Sequence, residues 1–537
     1  MKQQMTMKSI FKNTLSIVAV SSMLLFTGCI KDLDTVPIDK DVLSSAKVYA
    51  DYDNYEKILA KCYAGLSLSG QQAGAGNPDI VGFDEGFSQY MRCYFYCQEL
   101  TTDEAGLAWS DGTLKEFLTM SWSSANEFIR TMYYRIFFQI TLCNEFILNT
   151  APGKLDSRGF TEEQKATITE YRAEARFLRA FSYYHALDLF GNVPFVTEET
   201  GVGTYLPEQI KRPDLFAYVE SELLDIVNSL PSPKANQYGR VDKACAWTLL
   251  ARLYLNAKVY TGTERNTDAI TYAKKVITEG GYELEDTYSH MFLADNNTAK
   301  GIIFALPYDG TTSQTYGGTT FLIAAQIGGS MQPLNDFGTT EAWWGLRVKQ
   351  QLVKKFPTDN SDSRKMFYTD GHTLEMTNLF DYSNGYGSTK WKNKTSAGEN
   401  GKNSKFPDTD LPIFRLADVY LMYAEAVLRG GTGGSTTDAL GYVNAIREKA
   451  FGGVAGDIEA SKLTLDFILD ERARELWLES YRRTDLIRYG LFTGNTYVWD
   501  WKGGVLAGAT TDKKYNLFPI PDADRTANPN LQQNDGY

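Results

Sequence analysis

The stretch 162–189 constrains this chain more than any other. Thr161-x-x-Gln164 has the form of a capping box, in which a hydroxyl and an amide three residues apart satisfy each other's backbone N–H groups. Behind it, Ala175, Leu178, Ala180, Phe181, Tyr184 and Leu187 recur at helical spacing, small residues and aromatics falling on adjoining faces. Gly191 stops the run and Pro194 prevents it from resuming. So long an apolar helix needs other helices to cover it. Residues 52–67 supply one, with Tyr55, Ile58, Leu59, Cys62 and Leu66 in register, and 125–149 supply another, rich in Phe, Tyr, Ile and Leu. Residues 241–258 and 266–279 form a pair, as do 415–429 and 437–450. Small residues opposite aromatics in pairs of about 35 residues resemble tetratricopeptide repeats. The pairs are irregular and not contiguous, so the expected fold is mostly α: one domain with a helical scaffold and large insertions.

The insertions, about 68–124 and 283–410, lose helical periodicity and fill with Gly, Thr, Asn, Asp and aromatics. Loops this long inside a compact protein are usually binding surface. Aromatics are the compositional outlier: 33 Tyr, 29 Phe and 9 Trp make 13% of the chain, more than helix interfaces alone call for.

The first 28 residues read as a removed secretion signal, with Lys2, Lys8 and Lys12 ahead of an apolar run from Leu15 to Phe26. A small residue followed by Cys29 resembles a bacterial lipobox, in which the Cys becomes the lipid-bearing N-terminus; acyl chains then hold the protein on a membrane without spanning it. Removing residues 1–28 takes away three Lys and no acid, so the net charge of −12 becomes −15. That balance argues against nucleic acid and anionic membrane as direct partners. Cys62, Cys93, Cys97, Cys143 and Cys245 show no zinc spacing and read as buried thiols. His185, His290 and His372 stand far apart, and His185 lies in the long helix as a packing residue, so His-dependent chemistry is not expected.

Five segments carry a resemblance, in order: CIKDLDTVP (29–37), YRAEARFLRAFSYYHALDLFGNVPFV (171–196), LLARLYLNA (249–257), FRLADVYLMYAEA (414–426) and ERARELWLESYRRTDLIRYG (471–490); the ending at 517–537 matches as well. Together they resemble the SusD/RagB family of glycan-binding outer-membrane lipoproteins. Residues 30–34 also resemble the Lys-acidic signal that sends such lipoproteins to the cell exterior. The resemblance implies tetratricopeptide-like helix pairs supporting an irregular glycan-binding region. It implies no catalysis and no certain cofactor, and delivery of glycan to a TonB-dependent porin of the SusC type. PDIVGFDEGFSQYMR (78–92), ELTTDEAGLAW (99–109), TYGGTTFL (315–322) and VWDWKGG (498–504) further resemble a starch-binding member. Carried over, the ring-stacking aromatics fall on Trp109, Tyr316 and Trp343, the last separated by one residue of register from Trp344. The polar contacts fall on Asp84 and Arg92. In two places the chain departs from that pattern: a second Trp is replaced by Leu107, and an Asn by Gly112. These departures weaken the α-glucan expectation more than the glycan one.

The residue chemistry suits such a site, because an aromatic face covers the C–H face of a pyranose while Arg and Asp satisfy its hydroxyl rim. A competing reading is a surface glycoside hydrolase, which needs two carboxylates flanking the rings; Asp84, Glu85, Asp103 and Glu104 lie near in sequence. The dense charges at 471–488 read as a helix with i,i+3 and i,i+4 ion pairs, partly buried. Asp295-Asn296-Asn297 offers oxygens for a calcium ion, as many loops do.

Overall fold

A computed structural model describes residues 45–71, 74, 77–200 and 205–537. The expected signal segment and Cys29 lie outside the described residues. The chain divides into a unit of residues 1–54, described only from 45 onward as a short helix (Ser45–Val48) and a 3-10 turn (Tyr52–Asn54), and a unit of residues 55–537.

The second unit is mostly helical, and its helices fall where the periodicity puts them. The long helix spans Glu162–Leu189; Thr161 Oγ1 accepts from Gln164 N at 3.2 Å, and Gln164 Oε1 accepts from Thr161 N at 3.0 Å. Tyr55–Ser67 precedes it, as does Glu127–Asn149, capped by Asn126. Lys243–Leu255, capped by Asp242, pairs with Asn266–Glu279, and Leu416–Leu428 pairs with Thr436–Phe451. The run expected at 241–258 is shorter, because Asn256 ends it and a separate turn of helix, Ala257–Thr261, comes after.

The two insertions are closed off by strand pairing that the sequence does not announce. Helices 266–279 and 416–428 pack directly on each other although the whole second insertion lies between them. Ile302–Leu306 pairs antiparallel with Leu411–Arg415 at its base, both strands buried throughout. Ala105–Leu107 of the first insertion pairs antiparallel with Leu346–Val348 of the second, with Leu107 opposite Leu346. Neither insertion is wholly irregular: the first holds a helix at Tyr90–Phe95 running into a π-turn at Tyr96–Leu100, and the second a helix at Gly318–Gln326.

The charged segment is not one helix. Leu465–Leu476 ends, the chain turns with Leu478 and Ser480 at positive φ, and a second helix runs Arg482–Arg488. Glu99, far away in sequence, holds the turn: its carboxylate accepts from Ser480 N at 2.6 Å and Tyr481 N at 3.2 Å. Most ion partners are likewise distant rather than one turn away. Arg364, fully buried, bridges Asp362, Glu471 and Glu475; Arg415 bridges Glu475 and Glu479; Arg482 holds Asp103 with two bonds of 2.7 and 2.8 Å. These pairs fasten the first insertion and the second to the scaffold, a structural use of charge in which each ion is satisfied several times over.

The remaining polar singletons are also structural. All five described cysteines are buried free thiols. His185 accepts or donates one bond with Tyr90 Oη at 2.9 Å and stacks on Tyr94; burial pushes its pKa down to about 3, so it stays neutral. Among the described residues no helix is long and apolar enough to cross a membrane.

Candidate glycan-binding site

The strand pair 105–107/346–348 brings the sequence-predicted residues together. Just past one strand stands Trp109, and just before the other stands Trp343; their ring centroids are 6.2 Å apart and their planes turned by 51°. Trp109 Nε1 donates to the Trp343 carbonyl at 2.9 Å. Tyr316 continues the row, 6.1 Å from Trp343 with planes turned by 48°. All three rings are half-buried rather than fully exposed: Trp109 also rests edge-on against Phe321, and Tyr316 packs at a tilt against Phe406.

Two glycines make this approach possible. A Cβ on Gly345 would stand 2.6 Å from two ring carbons of Trp109, so only glycine lets that ring lie flat on the backbone. A Cβ on Gly317 would stand 2.2 Å from the Cβ of Gln89, so the Tyr316 turn can settle against the 90–95 helix. Gln89 Oε1 in turn accepts from Gly318 N and Arg92 N, tying that turn to the helix start.

Arg92 lies beneath the row. It is 4% exposed, and its guanidinium carbon stands 5.6 Å from the Trp109 ring, 5.9 Å from Trp343 and 4.7 Å from Phe321. Its Nε donates to Tyr96 Oη at 2.7 Å and its Nη1 to the carbonyls of Tyr316 and Gly86. Nη2 makes no hydrogen bond among the described residues. Asp84, exposed, accepts from Gly86 N and Phe87 N through Oδ1. Gly86 lies between Asp84, Arg92 and Tyr316, all three within 3.4 Å of the position of its missing Cβ. The five predicted residues therefore form one cluster drawn from three separate stretches of sequence.

Three neighbours escaped the sequence reading. Glu341 accepts from Trp343 Nε1 at 2.9 Å and fixes that indole; Lys405 Nζ stands 4.9 Å over Tyr316; Phe406 buttresses the same ring. No periodicity or motif marks them. Hydrogen bonding to Tyr316 holds the Lys405 ammonium above its ordinary pKa.

The carboxylates weighed as a hydrolytic pair part company. Asp103 is sealed by Arg482 and by Tyr497 Oη; burial pushes its pKa up, but the Arg482 guanidinium outweighs this and holds it below the usual range. Glu104 is buried beside Glu99, and desolvation raises it to about 7. Glu85 is buried against Ser69. Only Asp84 of the four is exposed.

Leu107 is fully buried in the strand pair, opposite Leu346. Gly112 adopts φ +43, where a Cβ would meet Glu127 Oε1 at 1.8 Å, leaving no room for a longer side chain unless Glu127 moves. At the segment named for calcium, both Asp295 oxygens accept from Ser396, and the Asn296 amide is spent on Met291 and Asp410. Among the described residues no group of three or more His, Cys, Asp or Glu stands ready for a metal.

The helix pairs form the frame from which the inserted loops bring the half-exposed aromatic row together. The sequence model of the SusD family (SusD_RagB) matches residues 375–537. The chain is 34% identical to the starch-binding protein SusD of Bacteroides thetaiotaomicron, over 99% of both chains. It superposes on a SusD homolog from the same organism with a TM-score of 0.71 at 20% identity, covering 93% of this chain and all of that one. It also superposes on surface glycan-binding protein A of Bacteroides thetaiotaomicron, solved with laminarihexaose, with a TM-score of 0.68 at 20% identity over 90% and 99% of the two chains. The chain belongs to the SusD family.

Proposed function

We propose that the chain is a non-catalytic glycan-binding protein whose site is the row Trp109–Trp343–Tyr316 with Arg92 and Asp84, and that its glycan is an α-glucan of the starch type. The observation that carries this is the convergence of those five residues, with neighbouring ring planes turned by 51° and 48°. Rings turned this way suit a chain that coils better than a flat ribbon of sugars. Each ring contributes about 0.5–1.5 kcal/mol beyond burial, so the rings alone give roughly millimolar binding or weaker. Weak sites suffice when many copies on one surface engage one polymer. Anchoring through a lipidated Cys29 at the outer membrane, with the glycan passed to a TonB-dependent porin of the SusC type, completes the reading.

A second reading keeps the role and changes the glycan. Gly112, where the starch-type pattern has Asn, favours it, as does a fold neighbour solved with laminarihexaose. The dispersal of Asp84, Glu85, Asp103 and Glu104 into different environments supports binding without hydrolysis. Electrophoresis of the purified protein through gels containing amylopectin tests the site. Retardation is expected for wild type and its loss for Trp109→Ala and Tyr316→Ala. Shorter products from maltoheptaose left with the protein would overturn the non-catalytic reading.

A further inference from the structure

Beside the first row, on the other side of one peptide bond, begins a second. Trp344 is 51% exposed and adopts φ +52, a conformation a bulky side chain rarely takes. The strain is imposed by the backbone around it: Trp343 N, Trp344 N and Gly345 N donate in turn to the carbonyls of Ala324, Ile327 and Ala325, so the segment is pinned across the end of helix 318–326. Trp344 Nε1, unlike the indoles of Trp109 and Trp343, makes no hydrogen bond among the described residues. Trp344 packs on buried Tyr382, 5.5 Å between ring centroids, whose hydroxyl donates to the Gln326 carbonyl; edge-on beyond it stand half-buried His372, 5.0 Å from Tyr382, and half-buried Tyr368, 6.0 Å from His372. There Ser330 Oγ meets Tyr368 Oη at 2.7 Å and the exposed carboxylate of Asp370. Buried Arg347 holds the loop that carries Tyr382 by donating to the carbonyls of Leu379, Asp381 and Asn384.

An exposed, strained Trp backed by rings, with hydroxyls and a carboxylate beyond, has the chemistry of a sugar subsite: an apolar face to stack on, and acceptors for the hydroxyl rim. It starts one residue from Trp343 in the chain. We propose that Trp344, backed by buried Tyr382, and the half-buried His372 and Tyr368 with Asp370 form a second glycan subsite, which engages the part of a long chain that runs on past Trp343. The inference rests on the glycan-binding reading above and adds chain-length selectivity to it.

The test is calorimetric titration of the protein with maltotriose and with maltodecaose, for wild type, Trp344→Asn and Trp344→Phe. Asn tolerates positive φ, so Trp344→Asn relieves the backbone and its unfolding temperature should be equal to or above wild type. Its affinity for maltodecaose should fall about threefold to tenfold, the loss of one stacking ring, while maltotriose binding stays unchanged. Trp344→Phe should recover most of the long-chain affinity. Equal affinity of wild type and Trp344→Asn for maltodecaose would overturn the proposal. So would an equal loss for both sugars, which would mean that Trp344 only supports the first row. Failure of the α-glucan reading itself reads differently, as a wild type that binds neither sugar.

Discussion

Gly345→Ala removes no atom that could touch a glycan, yet it should weaken binding. Gly345 does not sit at positive φ, so its backbone accepts alanine without strain. The added Cβ would lie 2.6 Å from Cε2 and Cζ2 of Trp109 and 2.8 Å from its Nε1. The ring must move by about 1 Å to restore ordinary contact, because real Cβ contacts begin near 3.4 Å. That shift breaks the 2.9 Å bond from Nε1 to the Trp343 carbonyl and turns Trp109 against its neighbours in the row. The lost hydrogen bond costs about 0.5–1.5 kcal/mol of folding stability and the overpacking about 1–3 kcal/mol. For binding, loss of one stacking ring amounts to about 0.5–1.5 kcal/mol, up to roughly tenfold in affinity. Calorimetric titration with maltoheptaose, paired with thermal unfolding, reads both. A Gly345→Ala protein with wild-type affinity and unfolding temperature would refute the claim that Trp109 lies on this glycine.

The buried charges and the N-terminus yield three more expected outcomes. Arg364→Met leaves Asp362, Glu471 and Glu475 short of their shared partner, so stability against urea should fall by about 3–5 kcal/mol while glycan affinity of the folded protein holds. Glu104 has a raised folded pKa, so its burial costs stability as pH rises from about 4.5 through about 7. Glu104→Gln should therefore gain in unfolding temperature over wild type as pH increases across that window, and a constant difference would refute the assignment. Cys29→Ala should move the protein from the membrane fraction to the soluble one; continued tight association would undo the lipid-anchor reading.

The scaffold was legible because helical periodicity and capping are local. Glu162–Leu189 and Asn266–Glu279 fall on the expected residues, and the Thr161/Gln164 box forms as the spacing requires. The break at 477–481 was not legible, since the charges keep a helical rhythm across it and the carboxylate that holds the turn comes from Glu99. Nor was the pairing of Ala105–Leu107 with Leu346–Val348: three-residue strands carry no periodic signal, and their register is set by contact between distant loops. The site residues came from resemblance, not from pattern. What resemblance missed is what depends on packing in this chain, namely the buried state of Leu107, the indole fixed by Glu341, and the ring seated on Gly345.

Calorimetric titration of the purified protein with maltoheptaose, α-cyclodextrin, laminarihexaose and cellohexaose tests the central claim most directly. The account predicts heat with the two α-glucans, none with the flat cellohexaose, and loss of the α-glucan signal in Tyr316→Ala. Silence with both α-glucans, or α-glucan binding that survives Tyr316→Ala unchanged, would contradict it.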